Sequence, residues 1–502
     1  MLARRRRQQL EQTKKVIYEG KLYRPLTEEQ IRMIDDASMH IFEEIGVCVK
    51  YAPAREYWKK AGALVNDETG VCKIGREIVR DCIKKAPGNF TQYGRIDKHN
   101  VEQAAFRFYG GTSCEAVSIW DIETGEHRPP NIYDLSAGTR LCDALDNCDL
   151  IQSCCYPSEL SKELPDINRY FAMIKNTTKH ICTGPYRPES VDKIYKMANM
   201  VLGREDAFRE RPFISLVCGV ISPLIMDAGW TETLVRGVEL GFPICSPSAP
   251  TCGATCPGTL AAQLVLCNVE ALMSIVTIQL MKPGHPCFYS AVPMMLDHRD
   301  GSFTYATPEA WMQNCAVNQI SQWYDIPNYS ICGMCDSKVM DMQLGIEMGM
   351  GIIMGAMSGS NNMHGSFGLL EGGLTVALEN FVVADEVVSM AKRVLRGIEV
   401  DEERIALDVF KEVGIGGIFL DQEITRKYSR TEIYYSKLSD RHNFAVWDAA
   451  GRPDYAAKAR EQAIAIIKSH KPELELDKEV EAAIRAEFPE ILPDAGKTMF
   501  EK

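Results

Sequence analysis

From residue 106 to residue 395 the chain alternates between short apolar or β-prone runs and longer stretches with helical spacing. The runs extend from Phe106 to Gly110, Leu150 to Cys154, His180 to Gly184, Phe213 to Val217, Phe242 to Ser246, Cys287 to Ser290, Asn328 to Cys332 and Ser360 to His364. Helical spacing follows each one, over Ile132 to Ala144, Leu164 to Asn176, Val191 to Leu202, Ala228 to Leu240, Gly258 to Met281, Pro308 to Trp323, Ser337 to Met357 and Leu374 to Leu395. Eight strand-plus-helix units in succession predict an α/β fold, a (β/α)8 TIM barrel. An open doubly wound sheet would more often place a Gly-rich nucleotide loop after its first strand, and Gly110-Gly111-Thr112-Ser113 lacks that spacing.

The flanks read differently. Residues 1–100 are expected to form an N-terminal helical extension: Thr27-Glu-Glu-Gln30 is a capping-box pattern ahead of Ile31, Ile34, Ala37, Ile41 and Ile45, and Gly46 stops that helix. Residues 101–396 would be the barrel and its catalytic domain, and 397–502 a C-terminal helical extension packed on the barrel or on a neighbouring subunit of a homo-oligomer. Within that extension, Val413-Gly-Ile-Gly-Gly417 is Gly-rich but lacks a following Lys-Ser/Thr, so it reads as a structural turn rather than a phosphate grip.

Charge and cysteine usage narrow the partners. Lys and Arg number 56 against 68 Asp and Glu, a net charge of −12, which disfavours nucleic acid and anionic membranes and leaves a small molecule or another protein. Arg4 to Arg7 runs into Gln8-Gln9-Leu10-Glu11 rather than an apolar h-region, so a cytoplasmic location is expected. The longest apolar stretch, Leu260 to Met281, contains Gln263, Asn268 and Glu270, which suit a helix packed on a sheet better than a bilayer. The 18 cysteines lack paired metal-site spacing, since Cys332-x-x-Cys335 and Cys252-x-x-x-Cys256 each lack a second pair, so no metal site is expected.

A barrel keeps its chemistry at the C-terminal ends of its strands. Tyr109, Tyr156, Tyr186, Tyr289, Tyr329 and Phe367 all fall at or near predicted strand ends, together with Glu115, Arg187, Asp336, His364 and Glu371. Several ring faces around one cavity suit a quaternary ammonium group, which is drawn to ring quadrupoles and has no hydrogen to donate. His364 and Glu371 are the candidate catalytic pair; Tyr109, Tyr186, Arg187, Tyr289, Tyr329 and Phe367 are the candidate substrate contacts. Asp336, close ahead of a predicted helix, reads as its N-cap.

The combination of Tyr109-Gly-Gly-Thr112, Gly333-Met-Cys-Asp-Ser-Lys338 leading to Asp341-x-Gln343, Asn362-Met-His364-Gly, Glu371-x-Gly373, Gly397-Ile-Glu-Val400 and Val413-Gly-x-Gly-Gly417 resembles the trimethylamine:corrinoid methyltransferase superfamily. The resemblance covers residues 25 to 445, and one later element departs from it: Ile424 precedes Thr425 where the family pattern has His-Thr. Archaeal trimethylamine enzymes of that family carry pyrrolysine in the barrel, whereas every residue here is an ordinary one, so the resemblance implies the non-pyrrolysine branch. What it implies is transfer of one methyl group from a quaternary amine such as glycine betaine or proline betaine to the Co(I) corrinoid of a separate protein. That protein would dock at the barrel mouth, with no cofactor bound directly by this chain. Two other readings remain open: a zinc-dependent barrel methyltransferase for methanol or thiols, with ligands among Cys218, Cys245, Cys335 and His364, and a non-catalytic betaine-binding protein.

Overall fold

The computed structural model describes residues 17–112, 115–160 and 165–501. The basic stretch Arg4 to Arg7, Ser113, and Leu164 at the expected start of the second helix lie outside the described residues. Eight strands form one parallel sheet: β1 Gly110–Thr112, β2 Cys148–Ile151, β3 His180–Cys182, β4 Ile214–Val217, β5 Ile244–Cys245, β6 Tyr289–Ser290, β7 Asn328–Ile331 and β8 Asn362–Phe367. Their order is β5-β4-β3-β2-β1-β8-β7-β6, and a parallel bridge from Ile244 to Cys287 joins the two ends into a closed barrel. The eight alternating units are therefore a TIM barrel, as the sequence pattern predicts.

Each strand is followed by its helix: α1 Ile132–Ala144, α2 Pro165–Asn176, α3 Ser190–Leu202, α4 Ala228–Leu240, α5 Leu260–Met281, α6 Pro308–Trp323, α7 Met342–Ser358 and α8 Leu378–Arg396. Local chemistry sets where they start. Asn131 and Asp134 make a reciprocal cap on α1, Asp227 caps α4, and Thr307 caps α6 with Pro308 in its first turn. The cap of α7 is Asp341, not Asp336: the helix begins at Met342, and Asp341 accepts the Leu344 N–H at 3.1 Å. Asp336 instead accepts from the Thr304 hydroxyl, and its own N–H donates to Glu347 at 2.7 Å.

Helix α5 is the apolar stretch noted above, and Gln263, Asn268 and Glu270 are all bonded inside the protein. Gln263 donates to the carbonyls of Pro250 and Met294, Asn268 to Ser38 and Tyr324, and Glu270 accepts from Ser222 and the Leu224 N–H. A helix of this length and hydropathy is a core element when such groups find partners within the chain.

Packing between α7 and the barrel depends on small residues. A Cβ on Gly355 would sit 2.8 Å from Cys332 Cβ and 2.8 Å from Met363 Sδ. Gly355→Ala is therefore expected to cost about 1–3 kcal/mol by overpacking, against a gain of about 1 kcal/mol in helix propensity. The thermal midpoint should fall; a midpoint that rises would show that the helix can move away from β7 and β8.

The segment before β1 is mixed rather than purely helical. The Thr27–Gln30 capping box forms as read, with Thr27 Oγ1 and Gln30 Oε1 each accepting the other residue's N–H, and Glu28–His40 is the helix it starts. Helices Ala52–Lys60 and Arg76–Lys85 follow, but short strands intervene, and Asn89–Gln92 pairs antiparallel with Val101–Ala104. This hairpin lies across the N-terminal ends of the barrel strands. Gln92 donates to Ser215 on β4, His180 on β3 bonds the Tyr93 carbonyl, and Asn361 donates to the Ala104 carbonyl. After α8, helix Tyr455–Ser469 packs along α8 and α1, and Lys478–Glu487 packs on α3.

Candidate functional site

The C-terminal end of β2 joins two groups of polar side chains. Gln152, the residue after the strand, reaches across the barrel to donate to the Tyr329 hydroxyl of β7 at 3.2 Å. The Tyr329 ring stacks on His364 of β8, with centroids 5.0 Å apart and planes 28° from parallel. His364 is buried, its Nδ1 has no hydrogen-bond partner, and burial pulls its pKa down to about 3. It is therefore a neutral imidazole with an idle ring nitrogen. The sequence puts His364 at a strand end; the strand instead continues to Phe367 through an irregular register at Gly365, which takes φ +76°.

The second group is charged. Ser153, next along from Gln152, donates its hydroxyl to the Cys155 carbonyl at 3.1 Å and lies against Glu115. Glu115 in turn makes an ion pair with Arg169 of α2, and Arg169 Nη1 donates to Asp166 at 2.9 Å. Arg169 is fully buried, and desolvation lowers its pKa to about 10, so it stays a cation. Burial raises Asp166 to about 6, and burial together with the Asp166 charge pushes Glu115 well above the usual carboxylate range. Both rises come first from burial, and for Glu115 next from the like charge of Asp166.

Two tyrosines cover this cluster. Tyr156 and Tyr186 meet edge to face with centroids 5.4 Å apart, and the Arg169 guanidinium lies 4.5 Å from the Tyr186 ring centre. Asp166 also fixes the loop that carries Tyr186, accepting the N–H groups of Tyr186 at 3.0 Å and Arg187 at 3.2 Å and the Ser190 hydroxyl at 2.7 Å. Tyr186 and Arg187 are exposed at the mouth, as the strand-end reading places them.

Three expected contacts lie elsewhere. Tyr109 precedes β1, because Phe106 turns with φ +67° and the strand starts only at Gly110; the Tyr109 hydroxyl donates to the Glu102 carbonyl in the hairpin under the barrel. Tyr289 points out of the barrel, donating to Asn268 of α5 at 2.8 Å. Phe367 is fully buried, with its ring against Gly110, where a Cβ would meet it at 3.0 Å. Glu371 sits in the β8–α8 loop with φ +53° and accepts from Thr375 at 2.6 Å rather than from His364, while its N–H bonds the Ser337 carbonyl.

Arg169, Asp166 and Gln152 are the functional candidates that strand-end reasoning missed. A signal was present: Asp166 and Arg169 stand three apart in the first turn of a helix that is otherwise apolar at Ile167, Tyr170 and Phe171, so both charges had to be buried or paired. Among the described residues, no three His, Cys, Asp or Glu side chains converge to hold a metal ion, and Cys218, Cys245, Cys335 and His364 form no such set. Burial pushes the thiols of Cys218, Cys245 and Cys335 up, the last to about 12.

A closed parallel barrel whose strand ends gather buried acids, a guanidinium and ring faces is the architecture of a barrel enzyme. The sequence profile of the trimethylamine methyltransferase (MTTB) family matches residues 2–489, and the chain belongs to that family. It is 32% identical over 470 residues to the trimethylamine methyltransferase MttB of Desulfitobacterium hafniense (strain DSM 10664 / DCB-2), covering 94% of each chain. It is 29% identical over 465 residues to the glycine betaine methyltransferase of Desulfitobacterium hafniense (strain Y51), covering 92% of this chain and 96% of that one. Among solved structures, the monomethylamine methyltransferase MtmB of Methanosarcina barkeri is similar over 88% of this chain and 92% of that one, at 13% identity and a TM-score of 0.47.

Proposed function

We propose that this methyltransferase takes one methyl group from a quaternary amine of the betaine class and delivers it to a corrinoid carried by a partner protein. The observation that carries this reading is the acid-rich cluster at the mouth: Glu115 and Asp166 both pair with Arg169, among the described residues the buried cation of this cluster, beside Tyr156 and Tyr186. A fixed cation bound there would relieve the two carboxyls and lie against ring faces, each such contact contributing about 0.5–2 kcal/mol. Arg187, exposed on the same loop, would meet a substrate carboxylate.

The chemistry asks little of acids and bases. A quaternary nitrogen already has a neutral leaving group, so the C–N bond breaks with its electron pair staying on nitrogen and a tertiary amine departs. The Co(I) corrinoid supplies the nucleophile that receives the methyl group. This chain would hold one N–CH3 bond toward the open mouth and exclude water, gaining rate by orientation. Neutral His364, stacked on Tyr329, is a hydrogen-bonding and shape-setting group in that pocket; at neutral pH it is not an imidazolium and so does not serve as a general acid. The rim suits a protein partner: Val117, Ile221, Phe303, Val339 and Leu374, from five different βα loops, all stand exposed around the mouth.

The test is to incubate the protein with reduced corrinoid and a panel of methylated amines and to follow the corrinoid absorbance. Glycine betaine or proline betaine should react once per molecule, glycine betaine giving dimethylglycine, while trimethylamine stays inert. Two successive transfers from one betaine, or equal rates with trimethylamine, would refute the quaternary-amine assignment.

A further inference from the structure

Two apolar surfaces of this chain stand in water. The first is an arm that leaves α8 at Gly397. Its four short helices, Glu402–Ile405, Leu407–Val413, Glu423–Glu432 and Phe444–Ala449, contain no buried residue. Ile398, Leu407, Phe410, Ile415, Ile418 and Leu420 are each at least 59% exposed. The arm is nevertheless anchored at its root. Arg393 and Arg396 of α8 donate to the Glu432 and Thr431 carbonyls, and Arg404 bridges Asp401 and Glu432.

The second surface is the outward face of α7. Met342, Ile346 and Met350 recur every four residues and are 81%, 61% and 47% exposed. Gly345 and Gly349, between them, have nothing within 4 Å of where a Cβ would stand, so another backbone can approach closely there. Other barrel helices that face water do so with charge: Asp192, Lys193 and Lys196 on α3, and Glu232, Arg236 and Glu239 on α4. An apolar outer face on one barrel helix calls for a cover.

We propose that this protein pairs with a second copy of itself, the arm of each chain covering α7 of the other. The six arm side chains together offer on the order of 1,000 Å² of apolar surface, against roughly 800 Å² per partner in a standard stable interface. Arm and α7 face occur once per chain and do not cover each other within it. A two-fold exchange covers both surfaces on both copies, whereas an unrelated partner seated on one would leave the other wet. The arm supplies branched and aromatic knobs, and α7 supplies three flexible side chains with glycine gaps to receive them.

The experiment is sedimentation velocity on the full-length protein at micromolar concentration, with an arm variant (Ile415→Asp with Ile418→Asp) and a helix variant (Ile346→Asp). These side chains are exposed in the single chain, so far-UV circular dichroism should be unchanged. Wild type should sediment at no less than twice the mass of one chain, and each variant should shift to a single chain. Mixing an Ile418→Cys protein with an Ile346→Cys protein and adding a bismaleimide should give a cross-linked pair that neither protein forms alone in comparable yield. A wild-type monomer overturns the proposal, as does an oligomer that both variants leave intact. Cross-linking confined to arm against arm would overturn the exchange.

Discussion

Glu115→Gln should raise the KM for glycine betaine by about 100-fold. Two unit charges about 4 Å apart interact by about 4 kcal/mol at the effective dielectric of a partly buried site, and the isosteric amide removes that attraction from a fixed cation. Arg169 keeps Asp166 as its partner, so the cluster retains one ion pair. The effect separates from a loss of fold by comparing glycine betaine with 3,3-dimethylbutyrate, the analogue that keeps the carboxylate but has a neutral carbon in place of the quaternary nitrogen. Wild type should strongly prefer the cation, and in the variant the preference should collapse while the analogue binds as before. Equal losses for both ligands would mean that Glu115 shapes the site without reading charge.

The same cluster sets the pH dependence. Asp166 stands at about 6 and Glu115 is raised further above its usual range in the free protein. A bound cation favours the ionised carboxylates, so below those pKa values binding must first expel a proton. Affinity should therefore rise with pH through and above 6, by up to about tenfold per unit for each proton expelled. Titration calorimetry in buffers of different ionisation enthalpy should register the released proton; a flat affinity with no release would contradict the site.

His364→Ala should lower turnover by about 10- to 100-fold, because a buried hydrogen bond to a charged group is worth about 1.5–3 kcal/mol. His364→Phe keeps a ring on Tyr329 and removes the idle Nδ1, so it separates two roles. If Nδ1 holds the substrate, the Phe variant is as impaired as the Ala variant; if the ring only shapes the pocket, Phe restores activity. With its pKa at about 3, His364 contributes no inflection to the rate between pH 5 and 9 in either case. Full activity in His364→Ala would remove this residue from the site.

The barrel was legible because parallel strands covered on both faces read as apolar runs, and α1, α4 and α6 begin and end at the residues their spacing predicts. The same double burial hid which way each strand residue points. Tyr289 and Tyr329 occupy the same pattern in neighbouring strands, yet one donates to a helix outside the barrel and the other to Gln152 across its interior. No period-two alternation exists in such strands to tell them apart. Tyr109 failed for another reason: the turn at Phe106 delays β1, and only the fold reveals that the hairpin strand just before that turn receives its hydroxyl. Glu115 and Arg169 are 54 residues apart, a pairing that local spacing does not encode.

The hairpin of Asn89–Gln92 and Val101–Ala104 closes the barrel at the end opposite the rim. On the proposed function, the rim would then be the common doorway for the amine, its demethylated product and the partner that collects the methyl group. A doorway that the last arrival covers would impose a sequence on traffic: the amine would board before the partner docks, and the demethylated amine would leave only after the partner has gone. Catalysis would thus be paced by the coming and going of a protein, and a partner already loaded with methyl would act as a stopper in the door.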